Sequence, residues 1–137
     1  VLPYYEKYVP LLKERGKITT VHAHASTMKV YTDTVLKMGV DVVEAFTPPP
    51  VGNLSLIEAR HAWGEDKVIC INFPETIFHE GYEKTLEFTI DLLKSDPNPR
   101  KMILFTEMGM MGVNKENRNM FKEGFKAVAD AIDEVEY

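Results

Sequence analysis

The sequence predicts an α/β fold in which one helix is followed by four strand–helix units. Four short segments rich in β-branched and apolar residues alternate with segments whose apolar residues recur every three or four positions. Glycine or proline residues end most of the helical segments. Alternating strands and helices are typical of a parallel sheet with right-handed connections. Four such units are half of a (β/α)₈ barrel, and they would also suffice for a small doubly wound sheet.

The strands are predicted from their composition. The first opens with a β-branched run that starts at Ile18. The third is apolar along nearly its whole length, which is typical of a strand covered on both faces. Cys70, in the middle of this third strand, is predicted to be a buried structural thiol. The predicted strands cover residues 17–25, 40–46, 67–73 and 101–106.

Each helix is predicted from its apolar spacing and from the residues at its ends. The amino-terminal helix, residues 4–15, ends at Gly16 and is expected to kink or restart at Pro10. Ser26 is predicted to cap the second helix and Asn114 the last one. The apolar faces of the other four helices begin at Met28, Leu54, Tyr82 and Phe121, and they end at Met38, Trp63, Leu93 and Val135.

Composition limits the classes of function. The chain has 137 residues, a length that fits one domain covering residues 1–137. With 21 acidic against 16 basic residues its net charge is −5, which argues against a nucleic-acid partner. The single cysteine excludes an internal disulfide and a thiolate-rich metal site made by this chain alone. No apolar run reaches the roughly 20 residues of a membrane span and no signal peptide is apparent, so we expect a cytoplasmic protein.

Polar side chains stand at or near the carboxyl ends of all four predicted strands, where parallel α/β proteins place their active sites. His22 and His24 are on the first strand, Glu44 on the second, Asn72 on the third, and Glu107 follows the fourth. The two histidines are two residues apart, so they point to the same face of a strand. Two imidazoles with carboxylates from neighbouring strands could bind zinc, and the same groups could supply acid–base catalysis to an organic acid substrate.

Simpler interpretations exist for each of these residues. A His-x-His pair is weak evidence for a metal by itself, and Asn72 could merely cap the loop that follows it. Glu44 lies between apolar residues, so we expect it to reach the mouth of the sheet or to have a partner, because burying a lone carboxylate is costly. Phe46, Phe73 and Met108 adjoin the polar groups and are predicted to line a substrate pocket, although Met108 could instead fill a gap in the core.

Four segments follow the order of motifs in a known superfamily. They are His22-Ala-His24, VDVVEAFTPPPVGNLSLIEARHAWG from Val40, KVICINFP from Lys67, and ILFTEMG from Ile103 with the later NKEN. In these segments the chain resembles the uroporphyrinogen decarboxylase-like superfamily, which contains the decarboxylase of haem biosynthesis and corrinoid-linked methyltransferases. The resemblance covers essentially the whole chain. It implies the carboxyl-terminal half of a (β/α)₈ TIM barrel whose first four units are absent.

The resemblance also implies a site and an activity. In the methyltransferases a His-x-Cys pair and a later cysteine hold zinc. Here His22 keeps the first position, His24 replaces the second, and Glu107 lies beside the position of the later cysteine. We therefore expect His22, His24 and Glu107 to bind zinc, Glu44 and Glu107 to be catalytic, and Asn72 to bind substrate.

The expected function is metal-assisted methyl transfer with a corrinoid protein as the methyl carrier and a small-molecule substrate. One alternative is uroporphyrinogen decarboxylation, in which a tetrapyrrole carboxylate side chain is removed without a metal. Another is a non-catalytic half-barrel that serves as a partner subunit. The half-barrel alone is expected to be inactive.

A half-barrel would expose one face of its sheet and two unpaired edge strands. The predicted partner is therefore the missing amino-terminal half of the barrel or a second copy of the chain, most simply in a two-fold dimer. The alternative is a rewound four-stranded sheet in which the helix of residues 4–15 folds over the exposed face.

Overall fold

The structure, a computed structural model, describes residues 1–105 and 113–135. Its elements follow the predicted order of one helix and four strand–helix units. The strands are β1 (Thr20–His22), β2 (Val42–Phe46), β3 (Val68–Asn72) and β4 (Met102–Phe105). The helices are α1 (Leu2–Lys13), α2 (Thr32–Lys37), α3 (Leu56–Trp63), α4 (Tyr82–Ser95) and α5 (Arg118–Glu134). Short 3₁₀ turns precede α2, α4 and β4, at Met28–Tyr31, Glu75–Glu80 and Pro99–Lys101. Within these described residues no helix is long and apolar enough to cross a membrane.

The four strands form one parallel sheet in the order β1-β2-β3-β4, which confirms the predicted α/β fold with parallel strands. His22 lies opposite Glu44 in the register of β1 and β2, and Cys70 lies opposite Ile103 in that of β3 and β4. Because connections between parallel neighbours are right-handed, this sequential order brings the helices to one side of the sheet. The helices accordingly pack against one another in chain order, from α1 against α2 to α4 against α5.

The two faces of the sheet differ in burial. Val21, Val43 and Ile69 point towards the helices and are at most 8% exposed. The prediction that β3 is covered on both faces, with Cys70 buried, is wrong: Cys70 is only half-buried, and none of the described helices packs over its side of the sheet. We call this other side the open face. The residues on it that are half-buried or exposed are Thr20, His22, Val42, Glu44, Val68, Cys70 and Ile103. Asn72, which the alternation of β3 places on the same side, is buried.

A β-bulge in β2 sets the direction of the side chains at its carboxyl end. Ala45 has a positive φ of 59°, and the register with β3 shifts between Val43 and Phe46. As a result Val43 and Phe46 are both fully buried, whereas Glu44 between them stays on the open face. Ordinary alternation places Glu44 on the open face beside Val42, and the bulge after it turns Phe46 into the core.

Several helix ends differ from the prediction. α1 continues through Pro10 without a break. The second helical segment opens as a 3₁₀ turn preceded by Thr27 and not by Ser26, and no side chain caps it. Asn114 does not cap α5 directly, since its side-chain oxygen accepts hydrogen bonds from the N–H groups of Glu116 and Asn117 in the turn before the helix. Asn114 therefore stabilises the turn that leads into α5.

α1 packs beside α2 and does not lie over the open face. Its residue Val9 is buried in the same hydrophobic cluster as Val35 of α2. Lys13, at the end of α1, forms an ion pair with Asp41 at 2.7 Å, just before β2. The alternative of a rewound sheet covered by the amino-terminal helix is therefore wrong, because α1 follows the same one-sided arrangement as the other helices.

A buried ion pair joins α3 to the residue that ends α4. The Arg60 guanidinium donates from Nη2 and Nε to the two carboxylate oxygens of Asp96, at 2.6 and 3.0 Å, and both side chains are at most 1% exposed. Arg60 Nη1 also donates to the carbonyl of Lys67, immediately before β3. The pair therefore ties helices and sheet together at the end of the sheet opposite to the carboxyl ends of the strands.

Candidate functional site at the carboxyl ends of β1 and β2

His22 and Glu44 form a hydrogen-bonded pair across the ends of β1 and β2. The imidazole Nδ1 lies 2.5 Å from Oε2 of the carboxylate, and the side chains are 58% and 33% exposed. An ionised carboxylate only accepts hydrogen bonds, so Nδ1–H is the donor. In the neutral ring the lone pair then belongs to Nε2, which is the nitrogen left to accept a proton or to bind a metal. Glu44 thus fixes both the tautomer and the orientation of His22.

The backbone around this pair is held by the sheet. Ala23 donates its N–H to the carbonyl of Glu44 at 2.7 Å, so the two strands remain bonded beyond the last residues of β1. The bulge at Ala45 and the burial of Val43 fix the position from which Glu44 projects. The site is therefore built on strands, whose positions are better defined than those of loops.

His24 lies next to His22, as the two-residue spacing predicts. The ring centroids are 5.9 Å apart and the ring planes meet at 69°. Both histidines border a pocket of about 170 Å³ between β1 and the segment that leads into α2. Its other lining residues are mostly apolar or small: Val21, Ala23, Ala25, Met28, Tyr31, Thr34, Val35 and Met38.

Two neighbouring imidazoles suit zinc in their chemistry, but they supply two ligands where a protein zinc site needs three or four. Among residues 1–105 and 113–135 no three His, Cys, Asp or Glu side chains stand close enough together to hold a metal ion. Glu107, the third expected ligand, lies outside the described residues, as does Met108. The two imidazoles are donors that suit a zinc ion. A complete zinc site would also need Glu107.

Cys70 lies on β3, next to Glu44 on the open face. Burial raises the pKa of the Cys70 thiol, and the negative charge of Glu44 raises it further, while a hydrogen bond from the backbone of Ala45 acts in the opposite direction. The thiol therefore stays protonated at neutral pH and has little of the reactivity of a thiolate.

The predicted substrate-binding residues of β2 and β3 lie deeper than His22 and Glu44. Asn72 is 8% exposed, and its Nδ2 donates to Oγ1 of Thr47 at 3.3 Å, which ties the end of β3 to the loop after β2. Phe46 is fully buried against Trp63, and Phe73 is 3% exposed and stacks on Phe78. The structure therefore places Phe46 and Phe73 in the core and does not bring them to the His22–Glu44 pair.

Two features of this region are not predictable from the sequence. The hydrogen bond between Thr47 and Asn72 depends on how the loop after β2 folds back, and no spacing in the sequence indicates it. The positive φ of Ala45 is equally unpredictable, since residues other than glycine rarely adopt that conformation. The three consecutive prolines that follow Thr47 were the only local sign that the chain changes direction there.

Comparison with known proteins adds no family name. A scan against protein-family models found no match, and a search of curated proteins found none either.

Proposed function

We propose that this chain forms the carboxyl-terminal half of a (β/α)₈ TIM barrel enzyme whose mouth carries the His22–Glu44 pair. Sequential parallel strands with helices on one side are the arrangement that a barrel requires, whereas a doubly wound sheet has helices on both faces. The observation that carries the functional part is the position of the pair. It stands where the strands of such barrels present their catalytic groups.

The activity proposed for this site is metal-assisted methyl transfer that involves a corrinoid protein. His22 and His24 would bind zinc together with Glu107, and Glu44 would orient His22 through its Nδ1–H. When bound, zinc would polarise an acceptor held at the mouth or lower the pKa of that acceptor. The chain's own contribution is to fix the imidazole that faces the acceptor and to hold the proton on Nδ1.

Decarboxylation of a tetrapyrrole carboxylate side chain is the second candidate. The observation that favours it is that an imidazole and a carboxylate in hydrogen-bond contact already form a complete acid–base pair. In this case Nε2 of His22 would exchange a proton with the substrate, and Glu44 would stabilise the imidazolium.

Zinc titration of the purified chain and three variants tests the first candidate. We expect stoichiometric binding to the wild-type chain, and at least about tenfold weaker binding after His22→Gln or His24→Gln. His79→Gln is the matched control, because His79 is an exposed histidine on the 3₁₀ turn before α4, and this variant should bind like the wild type. Equal binding by all four proteins, or none by the wild type, would reject the metal-assisted proposal. Consumption of uroporphyrinogen by metal-free protein joined to a complementary half-barrel would then support the second candidate.

A further inference from the structure

The sheet has two open edges with different surroundings. Among the described residues β1 pairs only with β2, and β4 only with β3. The bonds from β1 to β2 involve the carbonyl of Thr19 and the N–H of Ala23. Because backbone groups alternate in direction along a strand, those of Thr20 and His22 point to the outer edge. The outer edge of β1 can therefore accept a further parallel strand, and the outer edge of β4 is likewise unpaired among the described residues.

At the first edge, α1 overhangs the space next to β1. A groove of about 360 Å³ runs between the helix and the strand, and its walls are aromatic and apolar. Ile18 and Tyr4 at this groove are 80% and 69% exposed, so part of its apolar wall is open to solvent. The groove is lined by Tyr4, Tyr5, Tyr8, Val9, Leu12, Ile18, Thr19 and Thr20.

At the second edge, α5 has the corresponding position next to β4. It packs against α4, and a groove of about 370 Å³ lies between these helices and the strand. Ile132 of α5 is 39% exposed at this groove, and Ile103 of β4 is 50% exposed on the open face. The groove is lined by Leu93, Pro99, Arg100, Met102, Leu104 and Ile132.

We infer that the occupant of both edges is a segment of four parallel strands joined by three helices. This inference rests on the proposed half-barrel and follows from a count of helices. In a (β/α)₈ barrel one helix covers each seam between neighbouring strands. Here α2, α3 and α4 cover the three internal seams, and α1 and α5 already overhang the two seams that closure would create. The complementary segment therefore needs four strands but only three helices.

A second copy of this chain fits the two edges less well. Closing a barrel from two copies would place β4 of one copy beside β1 of the other. The α5 of the first copy and the α1 of the second would then lie over the same seam, and packed helices need 8–10 Å between their axes. Two copies bring ten helices to eight seams, so closure requires two of them to leave the sheet.

An extended chain tests this count with the full protein retained. Residues 17–105, which contain four strands and three helices, are joined through a short Gly/Ser linker to the amino terminus of the complete chain. The comparison protein is a tandem of two complete chains, which has the two surplus helices. Backbone amide exchange at Thr20 and His22 of the complete chain reports whether its outer edge is paired.

We expect exchange at these two amides to slow by at least about tenfold in the extended chain relative to the plain chain, and to stay fast in the tandem. Thr20→Pro in the complete-chain part of the extended chain should restore fast exchange at His22 of that part, because proline removes the N–H that pairs with the new strand. Thr20→Val at the same position keeps that N–H, so His22 should stay protected.

Equal protection in the tandem, or in a dimer of the plain chain, would show that a second copy is the occupant and overturn the inference. Fast exchange in both fusion proteins would overturn it as well. Zinc binding by His22 and His24 of the plain chain is measured separately, so failure of the proposed function can be distinguished from failure of this inference.

Discussion

The His22–Glu44 pair is partly exposed, so its value as an ion pair is small compared with the orientation that it gives to the imidazole. Glu44→Gln keeps the shape of the side chain but replaces a carboxylate by a neutral amide. We expect zinc affinity to fall by about 10–100-fold, as it does when a partner that orients a metal-binding histidine is lost. Stability in urea should change by less than about 1 kcal/mol.

Val43→Ala is the matched control, because Val43 is the fully buried neighbour of Glu44 on the same strand. This substitution should cost about 1–3 kcal/mol of stability through lost methyl groups and leave zinc affinity unchanged. If both variants lose stability and keep their zinc affinity, Glu44 is only a structural partner of His22 and not part of a functional site.

The contribution of Asp41 to the stability of the fold should depend on pH. Burial acts to raise the pKa of Asp41, but hydrogen bonds from the Lys13 ammonium and from the backbone and hydroxyl of Thr19 outweigh it and lower the pKa from 3.8 to about 2. Since the pKa is lower in the folded state, ionised Asp41 stabilises the fold above about pH 4, and this contribution is lost as the pH falls towards 2.

Urea unfolding of the wild type and of Asp41→Asn between pH 6 and pH 2 measures this contribution. Because Lys13 and Asp41 are both more than a third exposed, solvent screening keeps the difference below about 1 kcal/mol. The stability gap between the two proteins should narrow as the pH falls from about 4 to 2. A gap that is constant across this range would assign the effect of Asp41 to packing.

At the scale of elements, the buried pair of Arg60 and Asp96 joins α3 to the end of α4. Asp96→Asn leaves the Arg60 charge buried without a counter-charge, so we expect a loss of about 3–5 kcal/mol of stability in urea unfolding. Glu87→Gln breaks the exposed pair with Lys84 and should leave the unfolding midpoint unchanged. A loss of less than about 1 kcal/mol in Asp96→Asn would mean that water reaches the guanidinium when its partner is removed.

The order and type of the elements could be predicted from the sequence, because apolar spacing reports which side of each element is buried. The ends of β1 could not be predicted in the same way. The prediction of residues 17–25 shrinks to Thr20–His22, since a strand at the edge of a sheet is defined by hydrogen bonds to one neighbour only. Whether β3 is covered on one face or two depends on the strand order, and its own apolar run does not reveal that.

For the candidate site, the chemical character of the residues could be predicted from the sequence, but the contacts between them could not. The expectation that Glu44 reaches the mouth or finds a partner was correct, because a carboxylate among apolar residues needs one or the other. That the partner is His22 depends on the register of β1 with β2, and the bulge at Ala45 depends on the fold of the following loop. Phe46 and Phe73 adjoin polar residues in sequence, yet they point into the core.

In the molecule as a whole, the described helices cover one side of the sheet and leave the other side open. Cys70 reports on this arrangement directly, because it lies on the open face and is the only cysteine of the chain. We expect its thiol, which is half-buried, to be alkylated in the native protein by a small reagent such as iodoacetamide. The raised pKa of Cys70 makes the reaction slow at neutral pH and faster as the pH rises above 9.

The decisive measurement is the labelling rate of Cys70 as a function of urea below the unfolding transition. We expect the rate to be independent of urea, because the thiol is reached without unfolding. A Cys70→Ser, Val43→Cys double variant moves the thiol to the covered face, where the side chain at position 43 is fully buried, and its labelling should rise with urea and follow unfolding. If wild-type Cys70 also reacts only through unfolding, the second face is covered, and both the half-barrel and the site on its rim are contradicted.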